Sequence, residues 1–394
     1  MRACKHGRMR HFDFLDDTER ERLFHRAPEA LGPDAELDVL AMALGATLYC
    51  PANRPNLAVD IARRSAQGVT SMVLCLEDSI ADAEVGSAEG NLVAQLREHA
   101  RVRSDGPLLF VRVRAPEQIP MIVERLGTAV DAIAGFVLPK FNDDIGAAYL
   151  DEIETASSAL HRNVLVMPVI ESREAIYTES RTSTLTAIRR LLDKHRDHVL
   201  AVRIGATDMS AAYGLRRSRD HTVYDIGLIR DVISDVVNIF GRHEGGYPIT
   251  GPVWEYFSGS ERMFKPLLRE TPFIKHDERK LRAELIAKDM DGLIREVTLD
   301  RANGLTGKSV IHPTHVPAVH ALSVVSHEEY LDATDVLGTA AGGGVAASAY
   351  GNKMNESKPH TAWARRTQLR AQVFGVAREG VSYIDLLGAG LHQE

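Results

Sequence analysis

The chain has 394 residues, of which 47 are Lys or Arg and 54 are Asp or Glu, so its formal charge is −7 with neutral histidines. This mild acidity argues against a nucleic-acid-binding protein, because such proteins need a dense basic face. Hydrophobic residues make up 44% and charged residues 26%, which is typical of a globular protein and excludes disorder as the main state. There is no run of about 18 apolar residues, so we expect neither a membrane partner nor a standard export signal. Three widely separated cysteines form neither a disulfide framework nor a zinc spacing, which favours a reducing cytoplasm.

The order of predicted elements indicates repeated β-α units. Residues 1–44 are charged and predict an N-terminal helical extension. Over 45–335, short apolar runs alternate with segments whose apolar residues recur every three or four positions. The predicted strands cover 47–50, 72–76, 108–113, 135–138, 164–170, 199–204, 249–253 and 309–311; the predicted helices cover 56–67, 87–100, 117–130, 143–160, 173–195, 224–241, 276–301 and 315–327. Eight strands, each followed by a helix, predict an α/β protein with a (β/α)8 TIM barrel.

The composition changes after residue 335. Residues 336–394 begin with small and turn-forming residues, and they continue into an apolar-periodic helical segment at 362–378. A flexible tail is the ordinary interpretation of such a composition near a terminus. The periodic segment needs a surface to pack against, so we favour a C-terminal arm that docks on a neighbouring subunit.

Polar residues follow most of the predicted strands, which is where TIM barrels place their catalytic groups. Glu171 and Asp208 end neighbouring strands. Adjacent parallel strands lie roughly 4.8 Å apart, so these two carboxylates could share a hard cation such as Mg²⁺. The alternative is that each carboxylate caps the helix after it, and the spacing does not separate the two interpretations.

Arg112 lies inside the apolar run of the third strand, where a guanidinium is costly unless it is paired. A carboxylate of the substrate or of Glu77 could provide that pair, and a purely structural Arg112–Glu77 pair is the alternative.

Other sequence patterns give weaker evidence for a functional site. Most of the sixteen histidines lack a metal-ligand spacing and are interpreted as surface residues, GLTGKS at 304–309 lacks the P-loop spacing, and Cys75 is interpreted as a small core residue.

Eight strand-end motifs, taken in order, resemble the HpcH/HpaI aldolase and citrate lyase β-subunit family over residues 47–375. The matching stretches are LYCPANRP, SMVLCLEDSI, LFVRVRAPEQ, GFVLPKF, VMPVIES, RIGATDMSAAYG, GKSVIHPTHV and GNKMNE. Members are TIM-barrel enzymes, commonly trimers or hexamers. They make or break a carbon–carbon bond next to a pyruvate-like, glyoxylate-like or acyl-CoA fragment with a divalent metal, usually Mg²⁺.

The resemblance implies roles for the strand-end residues. Glu171 and Asp208 would bind Mg²⁺ or Mn²⁺, and Arg112 would grip the substrate carboxylate. The resemblance therefore favours the metal interpretation over the capping one. It also implies a metal-dependent carbon–carbon lyase that acts through an enolate on a 2-oxo acid or a related carboxylate or acyl-CoA-like substrate.

The remaining motifs imply further site residues. Glu77 and Asp78 match a motif that organises polar contacts at the floor of the site, while Asn53 and Arg54 lie in a loop used around the substrate. Glu356, in GNKMNE, corresponds to an acidic residue that reaches a neighbouring subunit's active site, where it would act as an acid or a base. We therefore expect a homotrimer or a hexamer.

Two departures from the family pattern limit the substrate assignment. Cys75 stands where the family usually has an acidic residue, and Arg114 stands where it usually has Asn. Arg114 would suit a second anionic group on the substrate. A Schiff-base mechanism through Lys140 is disfavoured, because the family lysine in this motif is not the nucleophile. A thioester hydrolase on the same scaffold and a non-catalytic assembly subunit remain as alternatives.

Overall fold

The central feature of the computed structural model is a closed barrel of eight parallel strands. The structure describes residues 9–32, 35–102, 106–257, 290–339 and 343–391. A short N-terminal strand, β1 (Phe24–Arg26), lies outside the barrel. The barrel strands are β2 (Ala46–Pro51), β3 (Ser71–Cys75), β4 (Leu108–Arg112), β5 (Gly135–Leu138), β6 (Leu165–Ile170), β7 (Val202–Ile204), β8 (Ile249–Trp254) and β9 (Lys308–Val310). Each predicted strand overlaps one of these, and the predicted TIM barrel is confirmed.

Helices follow the strands around the outside of the barrel. In chain order the helices are α1 (Asp17–Leu23), α2 (Leu37–Ala43), α3 (Leu57–Ala66), α4 (Val85–Val102), α5 (Gln118–Leu126), α6 (Asp143–Leu160), α7 (Arg173–Ile176), α8 (Thr178–Lys194), α9 (Ala206–Ala211), α10 (Gly227–Phe240), α11 (Met290–Ala302), α12 (Val316–Ser323), α13 (His327–Thr339), α14 (Ser357–Phe374) and α15 (Tyr383–Leu391). Of the predicted helix 276–301, residues 276–289 lie outside the described residues, and α11 covers the rest. No helix in the described ranges is long and apolar enough to span a membrane.

Burial on both faces explains why the strands lack strict alternation. Every residue of β3 is buried, as are those of β5 and β6. Parallel strands covered by helices outside and by the barrel core inside have no solvent-facing side, so they read as continuous apolar runs.

The GLTGKS stretch has a structural role at the start of β9. Gly307 has a φ of +68°, and a Cβ atom there would lie 2.5 Å from the Gly45 carbonyl oxygen. Lys308 is fully buried, and its Nζ lies 3.0 Å from Glu296 Oε1 and 2.6 Å from Asp300 Oδ2. This lysine therefore joins β9 to α11 inside the protein.

Two short strands from distant parts of the sequence pair outside the barrel. β1 pairs antiparallel with β12 (Val376–Ala377), and Arg378 donates a backbone hydrogen bond to Leu23. Helix α14 packs against α13 and α2 of its own chain, and Phe374 is buried at 1% exposure. Its own chain therefore covers much of this helix, but Trp363 is 39% exposed, and docking of the helix on a neighbouring subunit stays a prediction.

A hairpin that precedes α14 remains largely uncovered. Its strands are β10 (Val345–Ala347) and β11 (Met354–Glu356), paired antiparallel. Val345 and Met354 are each 59% exposed, and Tyr350 between the strands is also exposed. This hairpin is therefore a further part of the arm at which a contact with a neighbouring subunit is expected.

Several histidines are buried, although most had a surface interpretation from the sequence. His11 and His320 lie 4.5 Å apart between ring centroids and are 2% and 3% exposed. His320 Nε2 accepts a hydrogen bond from the backbone N–H of Ala46, at 3.2 Å, where β2 begins. Burial lowers the pKa of His11 to about 3 and holds the pKa of His320 well below 6.5. Both rings are therefore neutral in the folded protein.

We expect the protein to lose stability as the pH falls below 6.5, because unfolded histidines then bind protons that folded His11 and His320 do not. Each buried histidine contributes a slope of about 1.4 kcal/mol per pH unit to the free energy of unfolding. Urea unfolding across this range measures the slope. The His320→Gln variant should show a smaller slope, whereas replacement of the exposed His243 by Gln should leave it unchanged. Equal slopes for wild type and His320→Gln would contradict the expectation.

Candidate active site

Charged side chains from five consecutive strands converge at the carboxyl-terminal mouth of the barrel. They come from the ends of β3 to β7, where TIM barrels carry their active sites. The six residues are Glu77 and Asp78 after β3, Arg112 at the end of β4, Lys140 after β5, Glu171 after β6, and Asp208 in α9 after β7.

Arg112 lies at the centre of this cluster. Its Nη2 atom is 2.8 Å from Glu77 Oε2, 3.1 Å from Glu171 Oε1 and 3.3 Å from Asp78 Oδ2. The side chain is only 12% exposed. Burial opposes its charge, but Glu171 and its other neighbours outweigh burial and raise the pKa of Arg112. The Arg112–Glu77 ion pair considered from the sequence is present. Arg112, at the end of β4, also contacts Glu171, which follows β6.

Lys140 is the site residue that sequence reasoning undervalued. Its Nζ lies 2.7 Å from Glu77 Oε1 and 3.5 Å from Asp78 Oδ1, while its backbone N–H donates to Glu171 Oε1 at 2.9 Å. It has a φ of +48°, a left-handed conformation that is uncommon for residues other than glycine. The hydrogen bond to Glu77 raises the pKa of Lys140. A Schiff-base lysine must lose its proton, so this environment also argues against that mechanism.

Glu171 and Asp208 do not lie at the same height on the two neighbouring strands, contrary to the expectation from the sequence. Ile170 is level with Ile204, so Glu171 is level with Gly205, and Asp208 follows in the first turn of α9. A Cβ atom on Gly205 would lie 2.0 Å from Glu171 Oε2. The missing side chain of Gly205 therefore makes the space that the Glu171 carboxylate fills.

The cluster has an excess of negative charge. Four carboxylates face two cations, Arg112 and Lys140, which leaves a formal charge of −2 when all are ionised. Burial raises the pKa of Glu171 to about 7, and Asp208 adds to that rise while Arg112 opposes it. Burial and the charge of Asp78 also raise the pKa of Asp208. A divalent cation at Glu171 and Asp208 would neutralise this excess.

The donor types suit Mg²⁺. This ion is typically bound by one or two carboxylates and completes its shell with water and substrate oxygens. Within the described ranges, no group of three or more His, Cys, Asp or Glu side chains is arranged to hold a metal. Two carboxylates beside a cleft are therefore the donor set offered here, and they fit Mg²⁺ better than a metal that needs a closed protein shell.

Arg114 is directed to a loop and away from the cluster. Its Nε donates to the Leu76 carbonyl at 2.8 Å, and its Nη1 lies 2.6 Å from Asp82 Oδ1. Its Nη2 donates to the carbonyls of Glu77 and Ile80. These contacts do not support the expectation that Arg114 faces the substrate. They clamp the loop that presents Glu77 and Asp78.

Asn53 and Arg54 lie in the loop after β2 with exposed side chains. Asn53 Nδ2 donates to Glu84 Oε2 at 3.3 Å, and Arg54 Nε donates to Asp60 Oδ2 at 2.6 Å. Both contacts stay within the loops and helices beside the mouth. A role around the substrate stays a prediction for both residues.

Glu356 lies on the hairpin, at the end of β11, with an exposed side chain. Its backbone N–H donates to His360 Nδ1 at 3.1 Å. Among the described contacts, none joins it to the charged cluster of its own chain. Its predicted role as an acid or a base in a neighbouring subunit's site therefore requires that the protein forms an oligomer.

A family of carbon–carbon bond lyases with the TIM-barrel fold matches residues 38–376. The chain belongs to this family. The match spans the barrel and continues through α14, and the resemblance predicted from the strand-end motifs is confirmed. No curated protein matches the chain.

Solved structures agree on the fold. A citrate lyase from Burkholderia xenovorans LB400 has 17% identity and a TM-score of 0.58, over 88% of this chain and 96% of that one. The CitE protein of Mycobacterium tuberculosis, solved with magnesium, acetoacetate and coenzyme A, has 20% identity and a TM-score of 0.48, over 83% and 97% of the two chains. At these identities the first likeness shows a shared barrel, and the second carries no further argument.

Proposed function

We propose that this protein is a metal-dependent carbon–carbon lyase that releases a 2-oxo acid or a related carboxylate through an enolate. The observation that supports the proposal most directly is the charged cluster at the barrel mouth, where Arg112 is held between Glu77 and Glu171 beside Asp208. Membership of the carbon–carbon bond lyase family gives the reaction class.

The first proposed role of the cluster is to bind the substrate. Arg112 binds the substrate carboxylate, because its planar guanidinium matches a carboxylate geometrically. Glu77 accepts a hydrogen bond from Lys140 and forms an ion pair with Arg112, and so fixes the two cations in place. Asp78 contacts the same two cations at the rim of the cluster. Glu77 and Asp78 thus position charge before the substrate arrives.

In the cleavage direction, a base removes the proton of the substrate hydroxyl, and the carbon–carbon bond breaks as that oxygen forms a carbonyl group. The electron pair moves to the 2-oxo unit as an enolate, which an acid then protonates at carbon to give the free 2-oxo acid. Arg112 and Lys140 stabilise the negative charge that develops there. Glu356 of a neighbouring subunit is the candidate acid or base. Glu171 and Asp208 would hold Mg²⁺ or Mn²⁺, which when bound supplies a Lewis acid for the carbonyl and carboxylate oxygens.

A product assay tests the proposal. The protein is incubated with Mg²⁺ and a panel of 4-hydroxy-2-oxo acids and 3-hydroxyacyl thioesters, and released 2-oxo acid, aldehyde and free thiol are measured separately. Carbon–carbon cleavage should depend on the metal. Free thiol without cleavage would instead indicate the thioester hydrolase, and no turnover without any metal binding would favour the assembly subunit.

We also propose that the protein is a homotrimer or a hexamer in which Glu356 completes a neighbouring site. The exposed apolar residues of the hairpin, Val345, Tyr350 and Met354, support this proposal because they offer a surface that a second subunit could cover.

Mixing two inactive variants checks this assembly. Glu356→Gln and Glu171→Gln subunits should each be inactive alone, and their mixture should recover some activity, because mixed oligomers contain sites with one intact residue from each parent. Activity is assayed after subunit exchange is confirmed. No recovery would place Glu356 outside the neighbouring site, and a monomer in light scattering would rule out the arrangement.

A further inference from the structure

A cavity lies at the opposite end of the barrel from the charged cluster. Its volume is about 170 Å³, and it lies between the amino-terminal end of β9 and helix α14. Met42 of α2 and Phe374 of α14 contribute apolar wall, and Trp363, which is 39% exposed, also lines it. An engineered cavity of about 150 Å³ is large enough to bind benzene, so this space can take a small organic molecule.

Three arginines converge on this cavity around a single carboxylate. Arg301 Nη2 lies 2.6 Å from Glu329 Oε1, and Arg370 Nη2 lies 2.9 Å from Glu329 Oε2. Among the described residues, Arg366 Nη2 donates to the Gly304 carbonyl at 2.7 Å and to the Thr306 hydroxyl, both of them neutral acceptors. Glu329 thus pairs with two guanidinium groups, those of Arg301 and Arg370. The third, that of Arg366, contacts a neutral carbonyl in place of a carboxylate.

The other acidic residue of the lining, Asp300, does not balance these charges. It is already paired with Lys308 and accepts a hydrogen bond from Tyr224. Lys308 also pairs with Glu296, which pairs with Arg217, so that network of two acids and two bases is neutral by itself. The cavity therefore carries three arginines against one carboxylate, an excess of two positive charges.

The surroundings of Arg370 agree with this excess of positive charge. Arg370 Nε is buried and has no hydrogen-bond partner. Burial lowers the pKa of Arg370 to about 10, with Arg301 and Arg366 adding to the fall and Glu329 opposing it. A bound anion would reverse that effect by stabilising the charged guanidinium groups.

We infer that this cavity binds a small organic dianion, whose charged end contacts Arg366 and Arg370 and whose apolar part lies against Met42 and Phe374. Two negative charges match the excess of two positive charges, and guanidinium groups bind phosphate and carboxylate equally well in geometry. A phosphate monoester and a dicarboxylate share this chemistry. The site is separate from the proposed active site and does not depend on the proposed function.

Trp363 gives a local readout for the test. The chain has two tryptophans, and the other, Trp254, is 1% exposed in the barrel. Phenyl phosphate, succinate and inorganic phosphate are titrated while tryptophan fluorescence is followed, and calorimetry measures the same binding independently. In Trp363→Phe the fluorescence change should disappear while the heat of binding remains, which separates this cavity from anion binding at Arg112.

The double variant Arg366→Gln and Arg370→Gln should bind at least about tenfold more weakly, because it loses charge-assisted hydrogen bonds. Arg365→Gln is the matched control, since Arg365 lies on the same helix but does not line the cavity. Arg370→Lys keeps the positive charge and removes the Nε donor, so an intermediate loss is expected if the double variant proves too unstable to measure.

The relative affinities decide the ligand class. Tighter binding of phenyl phosphate indicates a phosphate monoester, and tighter binding of succinate indicates a dicarboxylate. Absence of binding by all three anions at millimolar concentration would overturn the inference. So would equal binding by wild type and the double variant, or binding of inorganic phosphate as tight as that of phenyl phosphate.

Discussion

Replacement of Glu171 by Gln is expected to lower lyase activity by about a thousandfold, because a preorganised charge at the reacting centre is lost. The variant should also lose the rise in melting temperature that Mg²⁺ produces in the wild type, since a ligand that binds only the folded state stabilises it. Without metal its melting temperature should not fall, because the charged form of Glu171 is disfavoured by burial and by Asp208. Activity and melting curves with and without Mg²⁺ check all three points.

Two variants sharpen this result. Glu174→Gln changes an exposed carboxylate on α7, just beyond the site, and should behave as wild type. Gly205→Ala keeps both carboxylates but places a methyl group where Glu171 Oε2 lies, so it should weaken the metal response as well. A wild-type metal response in Glu171→Gln would show that the metal site lies elsewhere.

Arg112→Lys is expected to lower kcat/KM by about a hundredfold or more, because an ammonium cannot reproduce the fork of a guanidinium. In the folded protein one Arg112 nitrogen already contacts Glu77, Asp78 and Glu171, and a lysine in this place would have to give up some of these contacts or the substrate. Steady-state kinetics and competition by small 2-oxo acids such as pyruvate measure the effect.

The comparison with other arginines separates substrate binding from structure. Arg63→Lys, at an exposed position on α3, serves as the control for the chemical change itself. Arg114→Lys should lower the melting temperature through the loop that Arg114 clamps, with a smaller effect on affinity. Unchanged kinetics in Arg112→Lys would remove Arg112 from the substrate site.

The barrel could be predicted from the sequence because burial on both faces leaves a simple signal. Strands such as β5 and β6 are continuous apolar runs between polar loops, and their boundaries follow from composition alone. β7 is the least regular case: it begins at Val202, while Val199 forms only an isolated bridge to Val166. The strand-end residues of the cluster could also be predicted from the sequence, because the order of the strands determines which side chains meet at the barrel mouth.

Other features depend on contacts that no local pattern records. The sequence indicates Lys140 only as a possible nucleophile, because its left-handed backbone and its pairing with Glu77 arise from the loop geometry. The sequence also favours a substrate contact for Arg114, because no local pattern predicts the loop carbonyl groups to which it donates. The contact of α14 with α2 joins residues far apart in the sequence, so no local pattern predicts it.

The pairing of β1 with β12 has a consequence for how the chain is made. Arg378 donates a hydrogen bond to the carbonyl of Glu21, 357 residues earlier. Because synthesis proceeds from the N-terminus, β1 emerges long before its partner strand exists. During that interval Phe24, which is 3% exposed in the folded protein, lacks the strand that pairs with it. Truncation or stalled translation before Val376 would therefore remove β12 and leave β1 without its partner as well.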